Sequence, residues 1–334
     1  MAMMNWLTDI FRIEKKPTRS LMAFEWVVVA YLFATLAFVL VRHDVLPHAD
    51  GMIWGRLKIL TITIAMWGVY RMLPCRFTRI TRVVVQMALL SWWYPDLFEL
   101  NRTFPNLDHL FASWEQALFG CQPALLFSKH LSHPVFSELM CLGYWSYYPL
   151  MALLCVTVFF CQPANIERVM FIIMGTFFIH YVIFVVLPVA GPQFYYEAVG
   201  TDKIAQGIFP NLHDHFNHQQ VRMACPGYRD GLFYALVESA HQAGERPVAA
   251  FPSSHVSVTT VIMLCAWHFR LRRLFWVMAP FAVLLFFSTV YIFAHYAIDA
   301  LAGLVSGALC WWLLLMVPTK THTPTTPKKK PRKR

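Results

Sequence analysis

A short motif, Pro252-Ser253-Ser254-His255, combines residue types that suit a phosphate site. Pro followed by Ser is typical of a helix N-terminus, and the free amides of a first helical turn bind anions. Two hydroxyls and an imidazole on that turn would add further hydrogen-bond donors around a phosphate. The alternative is an ordinary helix cap followed by an interfacial histidine.

A second motif places a histidine and an aspartate four residues apart, at His295 and Asp299. If the chain is helical here, the two side chains share one face, and the carboxylate can accept a hydrogen bond from one ring nitrogen. That bond would fix the tautomer and leave the other nitrogen free to attack an electrophile. The alternative is a buried histidine paired only for its own hydrogen bonding. Because an ionisable pair in an apolar stretch is costly, we favour a function.

The composition indicates that both motifs belong to a membrane protein. Of the 334 residues, 58% are hydrophobic and only 14% are charged, whereas soluble domains carry about 25% charged residues. A formal net charge of +10 would suit a nucleic-acid binder. The basic residues lie between long apolar runs, however, so we expect no nucleic-acid partner.

The apolar stretches predict an all-α, polytopic membrane helix bundle with about eight spans. Each stretch approaches the roughly 20 residues that cross the hydrocarbon core of a bilayer. The predicted spans are 21–41, 57–73, 80–95, 137–160, 168–190, 253–269, 274–294 and 298–318.

The distribution of basic residues predicts the orientation, because Lys and Arg are retained on the cytoplasmic side of short loops. Most of the 28 Lys and Arg residues fall on one side if the N-terminus is cytoplasmic. An even number of spans returns the C-terminus to that side. His255 and His295 would then share the non-cytoplasmic face.

Three regions follow from this topology. Residues 1–100 hold the N-terminal membrane spans, 101–318 form a catalytic membrane domain, and 319–334 form a basic, disordered tail. The polar outer loop 191–252 is long enough to act as a lid. The outer segment 96–136 is expected along the membrane interface as one or two amphipathic helices.

Other reactive residues give weaker signals. The motif His213-Asp214-His215-x2-His218 could ligate a metal, but its spacing matches no closed site, so a polar lid is the favoured interpretation. Of the eight cysteines, only Cys121 and Cys225 fall clearly on the outer face, and their pairing is an open possibility. We predict no metal and no cofactor.

The two histidine motifs resemble the second and third signatures of the type 2 phosphatidic acid phosphatase superfamily. The third is Ser288-x6-His295-x3-Asp299. The closer resemblance is to the inositol phosphorylceramide synthase (inositolphosphotransferase) branch, through Phe-Pro-Ser-x-His and Ser-Thr-x-Tyr-x3-His-Tyr-x2-Asp, over about residues 105–310. A weaker upstream similarity includes Tyr144-x2-Tyr147.

The resemblance implies a six-helix catalytic core and a role for each catalytic residue. His295 would attack the phosphorus atom and form a phosphohistidine or its phosphodiester counterpart. Asp299 would orient His295, and His255 would protonate the leaving alcohol. No metal is implied.

The resemblance also implies phosphate-binding residues, namely Ser253, the amides near Ser254, and Ser288. The chain departs from the phosphatase branch in having Thr289 where that branch has Arg, and it lacks a clear Lys/Arg-containing first signature. Another outer cation must then meet the phosphate charge. The candidates are Arg222, Arg229 and Arg246. Arg246, seven residues before Ser253, is our first choice.

Three functions are compatible with these residues. The leading hypothesis is a membrane transferase that moves a phosphoinositol-type head group from a glycerophospholipid to a lipid alcohol such as a ceramide. The alternative is a lipid phosphate phosphatase with water as acceptor. A transporter, with Glu25, His295 and Asp299 as proton-relay groups, is the third. Membrane lipids are the expected substrates, in either a bacterial inner membrane or a eukaryotic Golgi or ER membrane.

Overall fold

The computed structural model describes residues 10–15 and 17–319, and this part of the chain is all-α, as predicted. The helices are α1 (Ala23–Val41), α2 (Ala49–Met72), α3 (Arg76–Asn101), α4 (Asp108–Phe119), α5 (Pro123–His130), α6 (Pro134–Trp145), α7 (Tyr147–Cys161), α8 (Ile166–Val186), α9 (Pro192–Val199), α10 (Thr201–Ala205), α11 (His215–His218), α12 (Leu232–Gly244), α13 (Ser254–His268), α14 (Arg272–Tyr291) and α15 (Ala297–Met316). The predicted basic tail lies outside the described residues, apart from Thr319.

Within residues 10–15 and 17–319, five helices are long and apolar enough to cross a bilayer, namely α1, α2, α8, α14 and α15. Helices α6 and α7 form a sixth span if they are counted as one, although they meet at a bend of 44°. The chain is therefore an integral membrane protein. Helices α3 and α13 cover two further predicted spans, but α3 carries several charged residues and α13 has only 15 residues. The total of eight spans stays a prediction.

Buried ion pairs explain why α3 is less apolar than a simple span. Arg82 on α3 binds the Glu25 carboxylate on α1, with Nε 2.7 Å from Oε1, and both side chains are fully buried. Arg56 on α2 donates to both oxygens of Asp96, at 3.0 and 2.7 Å. Such charges are tolerated in a membrane when they are paired. Glu25 is therefore paired with Arg82. A proton relay would require Glu25 beside His295, and the structure shows no contact between these two residues.

The segment between α3 and α6 turns its acidic residues inward. On α4, Asp108, Phe111 and Glu115 are buried, while Trp114 and Leu118 are 55% and 64% exposed. The apolar outer face fits the predicted interfacial position. The prediction of an interfacial helix did not include these buried carboxylates. They lie on the face of α4 that packs against α15.

Helices α13 and α15 approach each other closely along two glycines of α15. A Cβ on Gly303 would lie 2.7 Å from the Ser253 carbonyl oxygen, and one on Gly307 would lie 2.5 Å from that of Ser257. Small residues at four-residue spacing let membrane helices pack backbone to backbone. This packing brings the start of α15 beside the start of α13, where the two histidine motifs lie.

Candidate active site

The histidine motifs meet where three turns are held together by backbone hydrogen bonds. The turn between α14 and α15 carries His295. The N–H of Gln193, at the start of α9, donates to the Phe293 carbonyl at 2.8 Å, and the Ala250 N–H donates to the Val189 carbonyl at 3.0 Å. The site is therefore built from the ends of helices, and α9, the first helix of the long loop 191–252, is attached directly to the histidine turn.

The chain is not helical throughout the second motif, whereas the predicted hydrogen bond between His295 and Asp299 assumed a helix. Helix α14 ends at Tyr291, and Phe293 has a φ of 67° in the turn that follows. The nearest approach of His295 Nδ1 to Asp299 Oδ2 is 3.8 Å, which is too long for a hydrogen bond. Asp299 Oδ2 instead accepts the Tyr296 N–H at 2.8 Å.

A backbone carbonyl fixes the His295 tautomer in place of Asp299. His295 Nδ1 lies 2.8 Å from the Ala250 carbonyl oxygen, and since a carbonyl only accepts, Nδ1 carries the proton. Nε2 then holds the free lone pair. Burial lowers the pKa of His295 to about 4, although the Ala250 carbonyl and the Glu245 charge act in the opposite direction. The imidazole is therefore neutral near pH 7, as a nitrogen nucleophile must be.

His255 lies on the first turn of α13 and faces His295. Their ring centroids are 5.7 Å apart. The rings of Tyr144 and Tyr147 each lie 4.6 Å from the His255 ring, and Tyr144 is stacked on it. His255 Nδ1 is buried without a hydrogen-bond partner. The upstream tyrosine pair thus forms an aromatic cage around one of the two histidines.

The predicted phosphate-binding residues are in different surroundings. Ser253 is the N-cap of α13, where its Oγ accepts the Val256 N–H at 3.3 Å, and Ser254 is the first helical residue. The Ser253 N–H donates to the Asp299 carbonyl at 3.0 Å, so the two motifs are joined directly. Ser288 donates to the Leu285 carbonyl at 2.9 Å within α14, and that hydroxyl is occupied inside its own helix.

The arginines proposed to meet the phosphate charge do not contact either histidine. Arg246 is exposed, and its Nη1 donates to the Glu245 carbonyl at 3.1 Å. Arg222 forms an ion pair with Glu238, and Arg229 is exposed on the lid. The assignment of Arg246 to the phosphate stays a prediction.

A carboxyl group that was not predicted from the sequence, Glu245, lies near His295. Glu245 Oε1 accepts from Gln193 Nε2 at 3.0 Å and from the Tyr94 hydroxyl at 3.3 Å. Burial raises the pKa of Glu245, and the Arg222 charge, like the charge that His295 carries when it is protonated, acts in the opposite direction. The shift favours the uncharged acid, which does not repel an anionic phosphate and can donate a hydrogen bond.

Two buried acids of α4 hold the site together and were also missed. Asp108 accepts the N–H groups of Ala190 and Gly191 at 2.6 and 2.8 Å and the Tyr296 hydroxyl at 3.0 Å. It thereby connects the turn before α9 with the residue that follows His295. Glu115 accepts the Ile298 N–H at 3.1 Å, at the start of α15. In the sequence, the two acids stand seven residues apart on one face of an amphipathic helix, and Glu115 also falls in the weak upstream similarity.

The remaining outer-face candidates are not brought together. Asp214 and His218 pair with each other on the exposed surface, with 3.3 Å between Oδ2 and Nε2. Cys121 and Cys225 are both free thiols, and only Cys225 is buried. Neither feature reaches His255 or His295.

Comparison with known proteins identifies the family of the chain. A family model described as the PAP2 superfamily matches residues 109–313, which include both histidine motifs and the loop 191–252. No curated protein and no solved structure matches the chain. The superfamily consists of phosphatases and phosphotransferases, so the protein is a lipid-phosphatase-type enzyme. The match covers more than half of the sequence, and the chain therefore belongs to the PAP2 superfamily.

Proposed function

We propose that this enzyme transfers a phosphorylated head group of the phosphoinositol type between membrane lipids through a covalent intermediate on His295. The observation that carries the proposal is the state of His295. Its Nδ1 is held by the Ala250 carbonyl, and its ring lies 5.7 Å from that of His255. One neutral imidazole with a free Nε2 and a second imidazole beside it suit a two-step transfer.

In the first step, Nε2 of His295 attacks the phosphorus atom of a glycerophospholipid. A nitrogen–phosphorus bond forms, and the bond from phosphorus to the diacylglycerol oxygen breaks. His255 gives its proton to that oxygen. An anionic phosphate stabilises the protonated form of His255, and the faces of Tyr144 and Tyr147 attract the cation as well.

In the second step, the acceptor hydroxyl loses its proton to His255 and attacks the same phosphorus atom. The nitrogen–phosphorus bond breaks, and His295 returns to its neutral state. Asp299, 3.8 Å from Nδ1, places a carboxyl group beside the ring while the ring carries the phosphoryl group. The N-terminus of α13, capped by Ser253, favours the phosphate charge through its backbone dipoles.

Two features support a lipid alcohol over water as the acceptor. Thr289 replaces the Arg of the phosphatase signature, and its hydroxyl donates to the Phe286 carbonyl within α14. The general acid is enclosed by aromatic rings, and an apolar cage of this kind disfavours entry of water. A lipid phosphatase with water as acceptor is the alternative that the experiment must separate.

The test uses purified protein in nanodiscs with head-group-labelled phosphatidylinositol, with and without ceramide, and product identification by mass spectrometry. We expect a head-group-linked ceramide that forms only when the acceptor is present. Release of free inositol phosphate or phosphate at the same rate with and without ceramide would refute the transferase proposal in favour of the phosphatase. His268→Ala, at the far end of α13, serves as the matched histidine control and should remain active.

A further inference from the structure

A second cluster of ligand-type side chains lies on the lid, beyond the histidine pair. Cys225 precedes α12, while Glu238 and His241 lie on one face of α12, three residues apart. One ligand atom from each residue, namely Sγ, a carboxylate oxygen and a ring nitrogen, lies within 4.8 Å of the others. Among the described residues this is the one such group that could hold a metal ion.

The state of His241 points to a ligand. Its side chain is buried, with 4% exposure, and neither ring nitrogen has a hydrogen-bond partner. A neutral imidazole has one donor and one acceptor, and leaving both unsatisfied in the interior is costly. Cys225 is buried as well and is a free thiol. A cation that accepts the lone pairs of both residues would remove this cost.

We propose that Cys225, Glu238 and His241 form a binding site for a divalent cation of the zinc class. Thiolate sulfur, imidazole nitrogen and carboxylate oxygen are the ligands that Zn²⁺ uses in proteins. Tetrahedral coordination with normal bond lengths sets the ligand atoms roughly 3.3–3.7 Å apart. Because the three ligand atoms lie within 4.8 Å of one another, they need to approach by at most roughly 1.5 Å to coordinate one cation, which rotation of the His241 ring can contribute.

Charge and proton bookkeeping are consistent with this site. Glu238 accepts from Arg222 through both carboxylate oxygens and from the Cys225 N–H at 3.0 Å through Oε1. One lone pair of Oε2 is left for a cation. The metal displaces the thiol proton of Cys225, which passes to solvent, and no electron transfer occurs. Three protein ligands leave a fourth position for water or another ligand.

The position of the cluster connects it to the lid and to the aromatic cage. The His241 ring lies 5.5 Å from the Tyr144 ring, whose stacked partner is His255. A bound cation would fasten the loop at Cys225 to α12 at this point. The site does not depend on the proposed transfer reaction, since none of its ligands takes part in that chemistry.

The test is a titration of chelator-treated, reduced full-length protein in detergent with Co²⁺, followed by competition with Zn²⁺. We expect one Co²⁺ per chain, a thiolate-to-cobalt charge-transfer absorption, and loss of that absorption when Zn²⁺ is added. Cys225→Ser should abolish the absorption, and His241→Ala should weaken Co²⁺ binding at least about tenfold. Each variant is compared with wild type by gel filtration and thermal unfolding without metal.

Two variants serve as matched controls. Cys121→Ser removes the other outer-face thiol, and His218→Ala removes a ligand from the exposed His-rich motif; both should bind Co²⁺ as the wild type does. Absence of the absorption in the wild-type protein would overturn the proposal, whatever the variants do. An absorption that survives in folded Cys225→Ser would overturn it as well.

Discussion

Replacing Asp108 with Asn tests whether this residue holds the site together, because Asp108 has no part in the proposed transfer steps. Each carboxylate oxygen accepts two hydrogen bonds: Oδ1 from the Gly191 N–H and the Tyr296 hydroxyl, and Oδ2 from Ala190 and Asn106. An Asn amide keeps one acceptor oxygen and points donor hydrogens at the other pair. The Tyr296 hydroxyl can turn to accept, but the backbone N–H on that side cannot.

The expected cost follows from that geometry. At least one buried N–H loses its acceptor, which costs about 1–3 kcal/mol, and the remaining bonds lose their charge assistance, so the total is roughly 2–4 kcal/mol. The link between α4 and the turn that carries His295 is also weakened, because the Tyr296 hydroxyl no longer donates to a carboxylate. Since a displacement of about 1 Å can slow catalysis about 10²-fold, we expect turnover to fall by that order.

The assay compares thermal unfolding in detergent and lipid turnover of Asp108→Asn with those of Asp202→Asn. Asp202 is an exposed lid residue and provides a matched change of charge. We expect a lower melting temperature and lower turnover for Asp108→Asn alone. If Asp108→Asn and Asp202→Asn have the same melting temperature and both retain wild-type turnover, Asp108 does not hold the site together.

Three further predictions concern packing and pH. Gly303→Ala places a Cβ 2.7 Å from the Ser253 carbonyl oxygen, so it should cost about 1–3 kcal/mol in an unfolding assay and reduce turnover; Gly68→Ala, in open space on α2, should do neither. Burial raises the pKa of Glu115 to about 8, above its usual value of 4.5. The protonated Glu115 carboxyl therefore stabilises the fold fully at low pH, and this stabilisation is lost as the pH rises towards 8. Glu115→Gln should remove this pH dependence of the melting temperature. If the melting temperatures of wild type and Glu115→Gln decline in parallel, the assignment is wrong. Because the pKa of His295 is lowered to about 4, kcat/KM should hold down to about pH 5 and fall only below it, whereas an acid limb near 6.5 would indicate a solvated histidine.

The parts of the account that sequence predicts well are local. Apolar runs of bilayer length become helices because no other lipid-exposed structure satisfies its backbone. Ser253 caps a helix, as the preceding Pro252 indicated, since the cap depends on a few neighbouring residues. His255 and His295 face each other in the structure.

The parts that sequence analysis missed depend on contacts between distant segments. The carbonyl that fixes His295 belongs to Ala250, 45 positions away, and any residue could supply it. Asp108 reaches Tyr296 across 188 positions, and its role appears only after α4 has packed against the turn. The helical pairing of His295 with Asp299 failed because a turn separates α14 from α15.

The most direct test of the central claim is detection of the covalent intermediate. Wild-type protein is mixed with phosphatidylinositol without an acceptor, quenched at alkaline pH to preserve the phosphorus–nitrogen bond, and analysed by peptide mass spectrometry. We expect a phosphoinositol adduct on His295 that decays when ceramide is added and that is absent from His295→Ala. An adduct on another residue, or undiminished turnover by His295→Ala, would contradict it.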